Sequence, residues 1–268
     1  MLGKLMKYEL KAMGRIQLPI YGALLIITVL NALMMRFNLP ADGFFFMIPV
    51  IMVMLYFFCI FVTLIMNTIL SILRFHRNIL GKEGYLMHTL PVSTAQNILG
   101  KLLTVVLFQI ISIAAAVLSF FLLLVITANM DVAVFGQAFR AIFENLDKIQ
   151  GEWVLFFLEL VGLGLISAAF GTLMIYAAMA VGHMFNRHKI IKSIGIYILL
   201  DIAVNIAVSV LIAALFNSGT VFMGVLDSIG PVIQSNIVLA VFMVFLLIWS
   251  MVFFLITNYF LKHKLNLE

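Results

Sequence analysis

The sequence predicts an all-α polytopic membrane protein: six transmembrane helices, both termini cytoplasmic, and an amphipathic interfacial helix at the N-terminus. Three observations predict it. Charged residues make up only 10% of the 268 and hydrophobic residues 65%, with a mean hydropathy of +1.23. Soluble proteins are about one quarter charged, so this chain lacks the polar side chains to cover a water-exposed surface. The apolar residues fall into six runs, each at least as long as the ~20 residues that cross a bilayer as a helix. Basic residues cluster at the N-terminus, in every second connection and at the C-terminus.

Residues 1–15 carry Lys4, Lys7, Lys11 and Arg15 at helical spacing, opposite Leu2, Leu5, Met6 and Met13. That is the pattern of a helix lying among lipid headgroups. Glu9 falls among the apolar residues, either as a local pair with a basic neighbour or as a contact for a protein partner. The first span covers about 16–36. It ends on Met34-Met35-Arg36, which is no small-residue cleavage site, so it reads as a retained span and not a signal peptide. The second span covers 44–73, and 74–101 forms a cytoplasmic loop whose end overlaps the third span, 99–128. An outer amphipathic segment follows at 131–151. There Phe135, Phe139, Ile142, Phe143, Leu146 and Ile149 oppose Arg140, Glu144, Asp147 and Lys148. Spans four, five and six cover 153–184, 193–216 and 233–261. Between the last two, Asn217–Pro231 mixes Gly and Ser with Val221, Phe222 and Met223, as expected of a loop that dips back toward the membrane.

Backbone groups in lipid must bond internally, which makes these spans helices; the alternating ten-residue segments of a β-barrel are absent. Orientation follows from the positive-inside rule. The inner side carries thirteen basic residues: Lys4, Lys7, Lys11, Arg15, Arg74, Arg77, Lys82, Lys101, Arg187, Lys189, Lys192, Lys262 and Lys264. The outer side carries three, Arg36, Arg140 and Lys148. The +5 net charge therefore reflects topology and requires no nucleic-acid partner. The single cysteine, Cys59, lies inside the second span, which excludes a disulfide framework or thiol metal site.

Catalytic signatures are missing. There is no G-x-x-x-x-G-K-[ST] phosphate loop, no H-E-x-x-H, and no Ser in a G-x-S-x-G context. His183 and His188 are five apart in a basic loop and would not share a helix face as zinc ligands do. No residue is expected to be catalytic or to bind a metal, and no cofactor is expected in this chain.

Two acids do lie within spans. An acid near a helix centre costs about 2.5–3.5 kcal/mol on insertion scales, so it normally faces protein or water. Glu159 follows Glu152 by seven residues and can reach the outer interface. Asp201 is deeper, and Asn205 and Ser209 continue it at i+4 and i+8. Thr63, Asn67 and Ser71 form a matching row on the second span. Each row is either a hydrogen-bonded helix seam or one wall of a translocation path. The fourth span shows small-residue spacing instead, Gly164, Ala168 and Thr172 beside Ser167 and Gly171, which points to close helix packing.

The loop from Arg74 to Lys101 has its own design. Glu83–Leu90 makes about two helical turns, with Tyr85, Leu86 and Leu90 as anchors, and Pro91 ends it. Ser93 then begins S-T-A-Q, where Ser93 can cap the next helix and Gln96 can reach back. A short helix braced between two long ones and rimmed with Arg and Lys suits transmission of motion to a partner; the alternative is an interfacial turn held by anionic lipid.

In these residues the chain resembles the bacterial type-2 ABC transporter permeases. The match rests on Gly81-Lys82-Glu83-Gly84-Tyr85-Leu86, Thr89-Leu90-Pro91-Val92-Ser93 and Lys101, with support from Lys7-Tyr8-Glu9-Leu10-Lys11 and Asn186-Arg187-His188-Lys189. The resemblance implies an exporter-class membrane subunit that pairs with a second permease chain, the same or homologous, and binds separate ABC ATPase subunits. ATP and Mg would reside on those subunits. Glu83, Gly84, Tyr85, Leu86, Leu90 and Pro91 would supply the coupling helix, and spans two and five would line the path. A path poor in charge suits a hydrophobic or amphipathic cargo such as a drug, peptide or lipid-like compound. Two other classes stay open: a proton-coupled secondary transporter using Asp201 or Glu159, and a non-transporting membrane sensor or immunity protein. Membrane lipids are partners in every case.

Overall fold

The computed structural model describes residues 2–36, 47–81, 93–127, 136–137, 140, 151–185, 188–216 and 230–263. Six long helices account for nearly all of them: α1 (Leu2–Arg36), α2 (Met47–Phe75), α3 (Thr94–Thr127), α4 (Gly151–Gly182), α5 (Lys189–Phe216) and α6 (Pro231–His263). All six are long and apolar enough to cross a membrane, which makes this a multi-pass membrane protein. Large apolar side chains cover their outer surfaces, as with Phe57, Phe58 and Phe61 on α2. The outer amphipathic segment, the coupling helix and the 217–229 part of the last loop fall outside the described residues, apart from isolated positions in the first.

The helices overrun the expected spans. α1 is one 35-residue helix, about 52 Å at 1.5 Å per residue against a ~30 Å hydrocarbon core. The segment expected to lie separately on the surface is therefore helically continuous with the first span. Pro19 lies inside α1 and deprives the Arg15 carbonyl of its helical donor without ending the helix. Part of the predicted cytoplasmic loop is helical as well. α3 begins at Thr94, and α2 runs on through a π-helical turn, His76–Leu80. Gly81 closes that turn where a side chain would not fit, because an added Cβ would lie 2.8 Å from the Arg77 carbonyl oxygen.

Two compact units divide the chain, and α2 and α3 contribute to both. The first comprises α1, α2 up to Ser71 and α3 from Leu103. Bonds between α1 and α2 join Gln17 to Asn67 and Asn31 to Met52, so the two helices run antiparallel. Those between α2 and α3 join Asn67 to Gln109 and Tyr56 to Ser119, again antiparallel. The apolar centre is Met13, Leu70, Val105 and Phe108, with Leu10 and Met66 against it. Met13, expected on the lipid-facing side of a surface helix, is thus packed on the bundle.

The second unit comprises residues 72–102 and 149–268. The C-terminal half of α4 is its centre: Thr172, Leu173, Met174, Tyr176 to Ala180 and Gly182 are buried. α4 and α6 run parallel, matched along their length by Glu152 with Asn236, Gly162 with Met243, and Phe170 with Phe253. Phe75 stacks on Tyr176 with ring centroids 3.9 Å apart. α5 returns against α4 at Gly182, where an added Cβ would lie 2.6 and 2.7 Å from the Cα and N of Ser193. The close approach is thus at Gly182, whereas Gly164 and Gly171, expected at a tight seam, have open space beside them. Of the face expected to pack closely, Thr172 is buried in this centre, while Gly164 and Ser167 are exposed.

Candidate functional site: two polar rows and a basic end

Thr63, Asn67 and Ser71 are buried in the first unit, all under 5% exposed. Thr63 donates to its own helix at the Cys59 carbonyl, 2.7 Å. Asn67 is the hub. Its Nδ2 donates to the Val105 carbonyl at 3.0 Å and to Gln109 Oε1 at 2.8 Å, while its Oδ1 accepts from Gln17 Nε2 at 3.3 Å. One side chain therefore ties α1, α2 and α3 together. Gln17 Oε1 and Asn31 Oδ1 are buried without a hydrogen-bond partner among the described residues. Tyr21 with Ser112 (2.9 Å) and Tyr56 with Ser119 (3.1 Å) extend the network. Gln17, Asn31, Tyr21 and Gln109 are the polar residues that sequence spacing did not single out. Gln17 and Tyr21 are four apart on α1, and Gln109 and Ser112 three apart on α3, so each pair shares a helix face and spacing could have found them.

The second row behaves differently. Asp201, Asn205 and Ser209 on α5 are exposed on the surface of the single chain. Asn205 Nδ2 donates to the Asp201 carbonyl (2.8 Å) and carboxylate (3.1 Å), and Ser209 donates to the Asn205 carbonyl at 2.8 Å. These bonds run within α5 and leave the row facing outward, along a shallow groove of about 460 Å³ lined by Ile202, Asn205, Ile206, Ser209, Val210 and Ala213. Asp201 lies twelve residues into α5, about 18 Å along the helix.

At one end of the second unit the basic residues gather. His76, Leu80, His183, His188, Lys189 and Ile190 line a cavity of about 590 Å³. The His76 and His183 rings meet edge-to-face with centroids 5.1 Å apart. His183 Nδ1 lies 3.0 Å from the Met179 carbonyl and donates to it. Burial pushes the His183 imidazole below its ordinary value of 6.5; the carbonyl bond opposes this, and the neighbouring His76 and Lys189 reinforce it. His188 precedes α5, its carbonyl accepting from Lys192 N at 3.0 Å, and it holds a left-handed φ of 56°. A non-glycine residue there is strained. Lys192 Nζ sits 4.1 Å over the Phe185 ring.

Of the residues on which the resemblance rests, Lys82 to Val92, Asn186 and Arg187 lie outside the described residues. Ser93 caps α3: Gln96 N donates to its Oγ at 3.3 Å and Asn97 N to its carbonyl at 3.1 Å. Lys101 is buried and engaged, as is Glu9 on α1. Glu159 on α4 is half-buried, with its Oε2 enclosed and lacking a hydrogen-bond partner among the described residues. Among the described residues no group of three or more His, Cys, Asp and Glu could hold a metal. No protein-family model, no curated protein and no solved structure matches the chain.

Proposed function

We propose that this chain is the membrane-spanning subunit of an ATP-driven exporter of the type-2 ABC class, working with a second permease chain and with separate ATPase subunits. The observation that carries the transporter reading is the Asp201–Asn205–Ser209 row, open on the surface of one chain in the middle of a span. A carboxylate facing acyl chains is costly, and such residues mark protein interfaces or water-filled paths. The row therefore calls for a cover, either a second permease chain or the cargo path between two chains. Within the buried Thr63–Asn67–Ser71 row, Asn67 ties α1, α2 and α3 together.

The ATP-driven part of the reading rests on the motif from Gly81 to Ser93. The π-helical turn at His76–Leu80 leads directly into it, and π-turns recur at functional sites. With the termini cytoplasmic, the ATPase would push on Glu83–Pro91, and the force would enter α2 and α3 at their ends. The chain itself performs no ATP chemistry in this scheme. A test is ATP-dependent transport in vesicles holding this chain and an ATPase subunit. Tyr85→Asp or Leu86→Asp should uncouple hydrolysis from transport with the fold intact, and Asp201→Asn should alter transport or cargo preference. Unchanged coupling in the first pair would sink the docking assignment; full activity in the last would make the α5 row a packing feature.

A further inference from the structure

We propose that the cavity at the basic end of the second unit binds a phosphate group carried on an apolar chain, held by Lys189, His76 and the backbone N–H groups that open α5. The cavity measures about 590 Å³ and lies among the π-helical turn after α2, the end of α4 and the start of α5. The first turn of α5 forms one wall. Lys192 N is bonded to the His188 carbonyl, which makes His188 the cap residue. The N–H groups of the cap and of the first three helical residues have no acceptor within a helix. Here those four are His188, Lys189, Ile190 and Ile191, and all four line the cavity. No Ser, Thr, Asp or Asn stands at the cap to accept from them. Such an opening, at the positive end of the helix dipole, receives anions.

A second wall is built for the same charge. His183, at the end of α4, is only 6% exposed yet lines the cavity. Its Nδ1 is held by the Met179 carbonyl, so Nε2 is directed away from that carbonyl on the far side of the ring. The His76 ring meets it edge-to-face with centroids 5.1 Å apart, which brings both imidazoles within reach of one ligand. Gly182 presses α4 against Ser193 of α5, and Ser193 Oγ donates to the Lys189 carbonyl at 2.9 Å; this sets His183 beside the first turn of α5. Among the described residues the lining holds three histidines, one lysine and no carboxylate. A cation would meet like charge from Lys189, and among the described residues no group of three or more His, Cys, Asp and Glu could hold a metal.

A phosphate ester brings about three strong acceptor oxygens, enough to face the backbone N–H groups on one side and Lys189 and His76 on the other. The remaining wall is apolar. Ile190 and Ile191 are 62% and 67% exposed, so an alkyl chain can pass them outward into lipid. Basic pockets between membrane helices take up lipid headgroups in this way. The same chemistry comes from an anionic phospholipid or from a soluble phosphate ester, and binding of either does not depend on the transporter reading.

The experiment uses the full chain in phosphatidylcholine nanodiscs, titrated calorimetrically with hexyl phosphate against empty discs at about 0.15 M salt. Saturable binding is expected, weakened about tenfold to hundredfold by Lys189→Gln through loss of a charge-assisted hydrogen bond. His76→Leu should weaken it about twofold to tenfold, as for a neutral hydrogen bond. Lys192→Gln removes an equal charge from a side chain that sits over Phe185 and outside the lining; screening should hold its effect under about twofold. Hexanol should not saturate, and inorganic phosphate should bind less well than hexyl phosphate. No saturable binding, equal binding of hexanol or inorganic phosphate, or equal losses in Lys189→Gln and Lys192→Gln would overturn the proposal. So would parent affinity in Lys189→Gln or His76→Leu. These two substitutions lie on different elements, so either one that unfolds at the parent's temperature decides the question. A second arm uses discs mixing phosphatidylcholine with phosphatidylglycerol, read by native mass spectrometry. One phosphatidylglycerol retained by the parent and lost from Lys189→Gln would support the site and assign the lipid as its resident ligand. Equal retention in both, with hexyl phosphate binding intact in the parent, would support it and assign a soluble phosphate ester. Since none of these steps needs ATP, absence of ATP-driven transport would count against the transporter reading alone.

Discussion

Replacing Asn67 with leucine removes the hub of the first unit, and the structure sets the size of the effect. Asn67 makes three bonds to α1 and α3, through Gln17, Val105 and Gln109. Side-chain hydrogen bonds between membrane helices average about 0.6 kcal/mol, with a maximum near 1.7, so their loss is worth about 2 kcal/mol. Gln17 adds to this. It is 0% exposed and its Oε1 already lacks a partner, so the variant leaves the whole amide unsatisfied, a further cost of about 1 kcal/mol or more. The expected destabilisation is about 3 kcal/mol, measurable by steric trapping or by reversible unfolding in mixed micelles. A second substitution, Gln17→Leu, then removes the orphaned amide and should recover about 1 kcal/mol, because two matched apolar groups replace a broken polar pair. An Asn67→Leu variant as stable as the parent would refute the seam. So would a double variant in which the two losses simply add.

Three further outcomes follow from the second unit and from α3. Gly182→Val forces α5 away from α4, since the nearest Ser193 backbone atom at 2.6 Å must retreat by about 0.8 Å to reach the 3.4 Å of ordinary contact; overpacking of this kind costs about 1–3 kcal/mol, read as a lowered unfolding temperature, while Gly164→Ala should be neutral. His183 is held neutral by burial, so its folded-state value lies below the ordinary 6.5. Its contribution is fully present above pH 6.5 and is lost as pH falls through the folded value, because the unfolded chain takes up the proton first. Unfolding measured between pH 7.5 and 5 (a range set by the ordinary histidine value) should show this decline, and His183→Gln should flatten it. Ser93→Ala removes the cap of α3 and should cost about 1 kcal/mol, with hydrogen exchange rising at Gln96 and its neighbours and nowhere deeper in α3.

The membrane class and the six spans were legible because charge is excluded from them: Arg15, Arg36, Arg74, Lys101 and Asp131 bracket the first three runs in plain view. Helix ends were less legible, since a helix need not stop where the bilayer does. α1 runs through Pro19, and α3 starts seven residues before Lys101. Ser93 was readable as a cap because capping is local chemistry, three residues wide. What the sequence concealed was rotation. A span that is apolar all round carries little amphipathic signal about which side meets a neighbour. For that reason the i, i+4 row at Thr63, Asn67 and Ser71 was visible, while its pairing with Gln17 and Gln109, 50 and 42 residues from Asn67, was not. The same ambiguity placed close packing along Gly164, Ala168 and Thr172 beside Ser167 and Gly171; Thr172 is buried, while among the described glycines the tightest contact falls at Gly182. Glu159 was noticed as an acid in a span, but Asn236 lies on another helix, 77 positions on, and only the folded chain sets the two residues on one cavity.

The central claim is that an outside ATPase drives this chain, and the most direct measurement is the ATPase activity of the complex isolated through it. The full chain, affinity-tagged and extracted from its native membrane in mild detergent or nanodiscs, should bring down a stoichiometric subunit carrying a G-x-x-x-x-G-K-[ST] loop, with ATP hydrolysis in the eluate. Tyr85→Asp should strip that subunit and its activity from an otherwise intact chain. A monodisperse, folded chain that elutes without ATPase subunit or hydrolysis, and vesicles that transport without ATP, would contradict the account.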